Sequence, residues 1–284
     1  MMEPVHRRLL WSLYILSAAV FFAYRLFPSA AVGRYIETRI NRLCPECRVA
    51  LSEAKLRFPL SVGFESVRLN HQEEIVLDAA DVKIRVEVLS AFTGHFPFSA
   101  QVFDGQVDGR IGLGKDGPSI EGTLYGLQIS RVSAAEKLMT HKLSGQVNGT
   151  FSYHGGGPNK GKGKASLNAI DASIALLPPV SDLDHIRFRS LEADLTVSGA
   201  QLEIARCELK GSDLDAGLTG TIFMKNPIGT SIVKVSGTIQ PHPVFLSNIV
   251  QVLPLRLLSS QRSGKNKIPI HVYNTLETPR ISFR

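Results

Sequence analysis

The sequence predicts a mainly β protein. One N-terminal transmembrane helix precedes a long curved antiparallel β-sheet, shaped as a half-barrel or groove, with short helices near its ends. Three observations carry this expectation. An uncharged run, "LLWSLYILSAAVFFAY" (Leu9 to Tyr24), stands near the start. From residue 48 onward, segments that alternate apolar and polar residues follow one another, the period of strands with one dry and one wet face. Within those segments a template recurs, apolar-x-small-x-apolar-x-Gly-x-apolar, at loose spacing rather than the fixed short period of a propeller or solenoid.

The uncharged run comes first. With Arg25 snorkelling and "LF" added it reaches the roughly 20 residues that span a bilayer. Trp11, Tyr14 and Tyr24 suit the interfacial belts, and Arg7 and Arg8 precede the span. The positive-inside rule then puts residues 1–8 in the cytoplasm, the anchor at 9–27 and the bulk on the other side. A cleaved signal peptide is the rival, because "PSAAVG" offers small residues to a peptidase. The apolar run is long for a signal core, which favours an uncleaved anchor.

Residues 28–47 follow. In "AVGRYIETRINRL", Val32, Tyr35, Ile36, Ile40 and Leu43 fall at helical spacing, with Arg34, Glu37, Arg39 and Arg42 mainly on other sides. This predicts an amphipathic helix beside the membrane, lying on its surface or capping the sheet. "CPEC" (Cys44 to Cys47) closes the segment; Cys207 lies far off. Outside the cytoplasm Cys44 and Cys47 can form a local disulfide. Their context is not the βαβ setting of a redox motif, and zinc lacks a second ligand pair.

Residues 48–284 form the β-rich domain. Strand-like text runs through "RVALSEAKLRF", "SVGFESVRLN", "EIVLDAADVKIRVEV" and "FSAQVFDGQVDGRIGL". "RVSAAEKLMTHK" predicts a short helix with Ser133 and Glu136 as a capping box. "GGGPNKGKGK" predicts a loop or hairpin tip. "PVFLSNIVQVLPLRLLSS" predicts an apolar helix bent near Pro254, and "KIPIHVYNTL" a last strand.

The glycine-spaced strands pose the main question. "LSGQVNGTF" puts Leu143, Gly145, Val147, Gly149 and Phe151 on one face. "FDGQVDGRI" does the same with Phe103, Gly105, Val107, Gly109 and Ile111, and "LDAGLTGTI" with Leu214, Ala216, Leu218, Gly220 and Ile222. Glycine on a dry face has three readings. It lets a sheet bend, it leaves room for a bulky residue from a facing element, or it lets a ligand approach the backbone. Repeated over many strands, such a face makes an apolar trough. Phe103, Val107, Ile111, Leu143, Gly145, Val147, Gly149, Phe151, Leu214, Leu218 and Ile222 are its candidate lining. Beside a membrane, a trough can hold phospholipid acyl chains.

Catalytic signatures are weak. "GLGKDG" (Gly112 to Gly117) matches a dinucleotide fingerprint but lies between two strands, which predicts a hairpin turn. "GGPNKGKG" (Gly156 to Gly163) matches a phosphate loop, yet Gly163 stands where the hydroxyl belongs. The eight histidines do not cluster, and neither H-E-x-x-H nor G-x-S-x-G occurs. Asp104 with Asp108, and Asp213 with Asp215, read as solvated charges on wet faces. The chain is expected to be no enzyme and to need no cofactor or metal. Its net charge of +7 gathers in short clusters, His6–Arg8, Lys160–Lys164 and Arg262–Lys267, without interleaved aromatics. That argues for solvated loops and membrane-flanking charge, and against nucleic acid.

The whole arrangement resembles a known family. An anchor and amphipathic helix lead to "LRFPLSVGFESVRL", then to "LEADLTVSGAQLEIARCELKGSDLDAGLTGTI", "KVSGTIQP" and "IPIHVYNTLETPRISF". This resembles the type II secretion system protein N family, within the wider AsmA/TamB-like group. The group's "G-x-D-L-x-A-x-L-x-G" run appears as Gly211, Asp213, Leu214, Ala216, Leu218 and Gly220. Its closing G-T-L-x-x-P appears as "NTLETP", with Asn274 where glycine is usual. The resemblance implies an inner-membrane-anchored, single-pass periplasmic component of the apparatus that exports folded proteins, working with other secretion-system proteins and without catalysis. The wider group implies an AsmA-like groove and lipid transport between membranes.

Overall fold

Alternating sequence gives strands when each strand can bury its dry side against the next, and here that happens in one sheet. The computed structural model describes residues 11–15, 17–18, 21–22, 25–26, 30–31, 33–34, 37–38, 47–57, 61–71, 74–85, 93–114, 117–131, 143–155, 161–180, 183–243, 245 and 267–283. Among them are fifteen strands. They are β1 (Cys47–Leu51), β2 (Lys55–Arg57), β3 (Ser61–His71), β4 (Glu74–Arg85), β5 (His95–Val102), β6 (Gly105–Gly114), β7 (Gly117–Gln128), β8 (Leu143–His154), β9 (Lys162–Val180), β10 (Leu183–Ser198), β11 (Gln201–Gly211), β12 (Leu214–Phe223), β13 (Ile232–Pro241), β14 (Ile268–Thr275) and β15 (Pro279–Phe283).

All fifteen belong to one open antiparallel sheet. From β3 to β15 each strand pairs with its successor, and β1 and β2 both pair with β3. Because strands adjacent in sequence are adjacent in the sheet, this meander is the simplest antiparallel topology. The mainly β, antiparallel expectation is met.

At the N-terminus, residues 11–15, 17–18, 21–22 and 25 are helical, and the Leu26 amide donates to the Phe22 carbonyl at 2.8 Å. Trp11, Leu13, Tyr14, Phe21 and Leu26 are exposed. Among the described residues no helix is long and apolar enough to cross a membrane. Residues 30–31, 33–34 and 37–38 are helical, but Cys47 already belongs to β1, so the helix expected over 28–47 does not include its last residue. Most of both segments expected as helices at 131–142 and 243–260 lies outside the described residues; Arg131 ends a 3-10 turn, and residues 243 and 245 are helical.

Three strand expectations need correction. "RVALSEAKLRF" is two strands, broken at 52–54, where the Ser52 amide donates to the Ser66 carbonyl and the Ser52 hydroxyl accepts from the Ser66 amide, both at 3.0 Å. Phe103 does not sit on a strand. It forms, with Asp104, the two-residue turn between β5 and β6, at φ of 48° and 60°. That is the primed turn a twisted hairpin prefers, here without its usual glycine or asparagine in both central places. Finally, "TPRISF" does not trail from the last strand but folds back on β14 as β15. The hairpin expected at "GLGKDG" is present, with Gly114 opposite Gly117.

Bulges keep the dry face dry where the alternation slips. In "LEIARCEL", Leu202 and Ile204 are followed by Cys207 and Leu209, three residues on rather than two. The extra residue sits between Ile204 and Cys207, and the register with β12 shifts there. In β7 the shift between Leu124 and Leu127 is held by Gly126, at φ +64°, whose amide donates to Asn148 Oδ1 at 2.8 Å. Each bulge restores the inward parity that a one-residue slip would invert.

Candidate functional site

The feature that unites the molecule is the dry face. Reading across the strands, one row runs Phe98 (β5), Gly109 (β6), Gly122 (β7), Phe151 (β8), all directly opposed in register. A Cβ on Gly109 would fall 2.8 Å from the Phe98 ring, and one on Gly122 would lie 3.0 Å from the Phe151 ring and 2.6 Å from the Asp108 carbonyl oxygen. The gaps are therefore filled. The aromatic rings of neighbouring strands lie over the glycine backbones, and no separate facing element is needed there.

A second row is arranged the other way. Phe188 (β10) opposes Ala172 (β9) on one side and Gly211 (β11) on the other. Beyond Ala172 lies Gly145, in the bulge where the β8–β9 register shifts. Gly145 has φ +130°, and a Cβ there would fall 2.8 Å from Ala172 Cα. These rows anchor two buried clusters. The first centres on Ala79, Phe98, Ala100, Val102 and Val107; the second on Ala169, Ala172, Phe188, Leu209, Leu214 and Phe245.

The candidate trough residues fall on this framework as follows. Val107 and Leu214 are buried, at 8% and 7% exposure. Phe103, Ile111 and Phe151 pack half-buried against the first cluster, and Val147 and Leu218 against the second. Leu143 and Ile222 are half-buried on the same face, opposite Ile174 and Leu202. Gly149 faces Leu167, whose side chain would meet a Cβ there at 3.0 Å. The structure thus brings the candidates to one face, and seven of the eleven pack in two centres, Phe103, Val107, Ile111 and Phe151 in the first and Val147, Leu214 and Leu218 in the second. Cys44 lies outside the described residues, as does the Cys47 side chain.

The wet face carries features that sequence reasoning missed. Three open concavities of about 440, 1030 and 1410 Å³ are lined largely by its residues. The largest crosses β5 to β10, its sides made by Asp108, Arg110, Glu121, Thr150, Lys164 and Asp194. The row Phe98–Gly109–Gly122–Phe151 also borders it, whereas the next dry-face rows, with Val107 and Leu124 or Ile111 and Ile120, do not. The row's backbone is therefore the floor, since its side chains point to the opposite side. Alternation marks such positions only as polar, so only register could align them.

The wet-face charges are paired across strands. Asp194 accepts from the Ser166 hydroxyl at 2.8 Å and from Arg206 Nε at 3.0 Å; all three stand in register on β9, β10 and β11. Arg206 also reaches Glu192 at 3.3 Å and Glu208 at 3.7 Å. The Ser166 hydrogen bond, then that of Arg206, lowers the Asp194 carboxyl below its ordinary range, and Asp194 raises the Arg206 guanidinium. On the dry side, burial pushes the Cys207 thiol up. Among the described residues no three His, Cys, Asp or Glu side chains are grouped to hold a metal ion.

The position singled out as unusual, Asn274, has φ +89° and donates from Nδ2 to the Thr278 carbonyl at 2.9 Å. Glycine is the easiest residue at such a φ and asparagine the next best, so the exchange keeps the backbone turn. Compared with known proteins, the chain matches no family model, no curated protein and no solved structure.

Proposed function

We propose that this chain is a non-catalytic, inner-membrane-anchored periplasmic component of a type II secretion apparatus. The observation that carries the reading is the sequence of parts: helical residues with exposed large apolar side chains, then a single antiparallel sheet whose outermost strands have no further strand partner among the described residues. Exposed apolar side chains on the N-terminal helical residues support the anchor, because water does not tolerate them in a cluster and a bilayer does. The open sheet supports a scaffold role, since unpaired strand edges recruit extended segments of partners. The family resemblance supplies the apparatus. The test is genetic. Deleting the gene should sharply reduce release of folded exoproteins, and the wild-type gene should restore it; unchanged release removes the secretion reading.

A second reading has its own observation. The dry face is only half-buried at Ile111, Val147, Leu218 and Ile222, and it continues to an exposed Ile281 at the sheet's end. Curved into an AsmA-like groove, this face would bind phospholipid acyl chains. Native mass spectrometry of the full chain, released from detergent, should then show bound phospholipid, displaced by Val147→Glu while the fold persists. A folded variant that still carries lipid rejects this reading.

A further inference from the structure

The two ends of the sheet differ. At one end, β1 and β2 form a broken edge of five and three residues interrupted at 52–54, with Arg48 and Lys55 exposed and Lys55 paired to Glu65. Breaks and charges are how strand edges avoid pairing with other chains. At the other end, β15 is paired only to β14 among the described residues. Pro279 and Arg280 blunt its start, but Ile281 is 57% and Phe283 42% exposed. Both sit in register with the dry face, opposite Val272 and Ile270. Among the described residues this edge presents backbone groups that no further strand pairs, together with two exposed apolar side chains.

The edge is also held in place. The turn before it is tied to the β12–β13 connection, where the Leu276 amide donates to the Ser231 carbonyl at 3.0 Å and the Glu277 amide to Gly229 at 3.1 Å. Ser231 is fully buried. A fixed edge lowers the ordering cost of strand addition.

Charge and size choose the occupant. On the wet face beside Ile281, Arg280 stands in register with Tyr273 and then Lys234. Arg280 has no ion-pair partner among the described residues, and Lys234 lies over the Phe223 ring at 5.5 Å. The row is basic. Five residues at ~3.3 Å rise make an edge roughly 17 Å long. That is too little for the about 800 Å² per partner of a stable homodimer, but it suits a short extended segment.

We infer that the outer edge of β15 adds a strand from another protein, one with apolar residues at alternate positions and acidic residues between them. The added strand continues the dry face past Ile281 and Phe283 and sets a carboxylate against Arg280. This deepens the secretion reading and rests on it for the identity of the partner's assembly.

The test uses the full chain in detergent micelles and two fluorescent ten-residue peptides, one alternating valine with glutamate, the other valine with lysine. The glutamate peptide should bind at least about tenfold more tightly than the lysine peptide, a difference of about 1.4 kcal/mol. Ile281→Lys should abolish binding. Arg280→Glu should reverse the preference while circular dichroism stays unchanged. Equal binding of both peptides, binding unaffected by Ile281→Lys, or no binding at all overturns the inference. So does a concentration-dependent dimer that Ile281→Lys dissolves, since a second copy then takes the edge. If the peptide results hold but gene deletion leaves secretion intact, the edge stands and the secretion reading falls.

Discussion

The two dry-face rows solve one packing problem in opposite ways. In the first, two rings flank two glycines, Phe98–Gly109–Gly122–Phe151. In the second, one ring stands between small residues, with Ala172 and Gly211 on either side of Phe188. Both alternate large and small so that neighbouring strands interdigitate at high density. The difference is in redundancy. Each ring of the first row covers one glycine, whereas Phe188 covers both of its neighbours.

The largest expected effect follows from that. Phe98→Ala and Phe188→Ala should each destabilise by ~3–5 kcal/mol, the usual range for a buried aromatic. Phe188→Ala should lie at the upper end, because it uncovers two strands at once. Denaturant midpoints of the two variants decide this. Equal losses would mean that the rows are equally redundant and the comparison is wrong.

Glycine substitutions come next. Gly122→Ala puts a Cβ against the Phe151 ring and the Asp108 carbonyl, and Gly145→Ala adds a disfavoured φ of +130° to a close approach to Ala172. Each should cost about 1–3 kcal/mol, the range for overpacking. Gly217 is the control. Nothing lies within 4 Å of a Cβ built there and its φ is ordinary, so Gly217→Ala should be neutral or stabilise by about 0.4–1 kcal/mol. If Gly217→Ala costs as much as Gly122→Ala, steric closeness is not what selects glycine in these strands.

Much of this architecture was legible in the sequence, and the limits are physical. Period-two alternation identified the strands, and the glycine template identified the shared face. What alternation cannot give is register, because each strand's pattern is the same wherever it pairs. The answer to the glycines lay in register. Phe98 and Gly109 are eleven positions apart in a hairpin, but Gly122 and Phe151 belong to strands joined by a longer connection, residues 129–142, whose pattern says nothing of register. The Phe103–Asp104 turn was hidden because Phe103 and Gly105 continued the alternation through it. β15 was missed because Pro279 reads as a chain breaker, although a proline is tolerated at the start of an edge strand. The wet-face concavity and the Ser166–Asp194–Arg206 row had no sequence signal, since polar residues on alternate positions look alike until strands are aligned.

Cys207 separates the two faces chemically. It lies on the dry side between Ala193 and Leu218, and burial raises its thiol. Iodoacetamide should alkylate it more slowly in the folded chain than in urea at pH 8, because the thiolate is the nucleophile. A raised thiol favours folding below the unfolded value, and that contribution fades as pH climbs through the folded one. Equal alkylation rates in both states would mean that water reaches this part of the dry face freely.

The smallest effect belongs to the wet face. Asp194 is held by Ser166 first and Arg206 second, so its carboxyl titrates below the ordinary carboxylate value. The sign follows from linkage. A group whose folded value is depressed adds stability above its unfolded value and loses it as pH falls through the folded one. The site is open to water, where screening leaves such a pair little net worth. Asp194→Asn should therefore lower the denaturant midpoint slightly at pH 7 and low salt. The difference should shrink in high salt and vanish once acid has protonated the wild-type carboxyl. A midpoint difference that persists in acid would mean that Asp194 acts through shape, as a hydrogen-bond acceptor aligned by register, and that the wet face is fixed as tightly as the dry one. The Phe98 and Phe188 variants should then be tested again in an Asp194→Asn background.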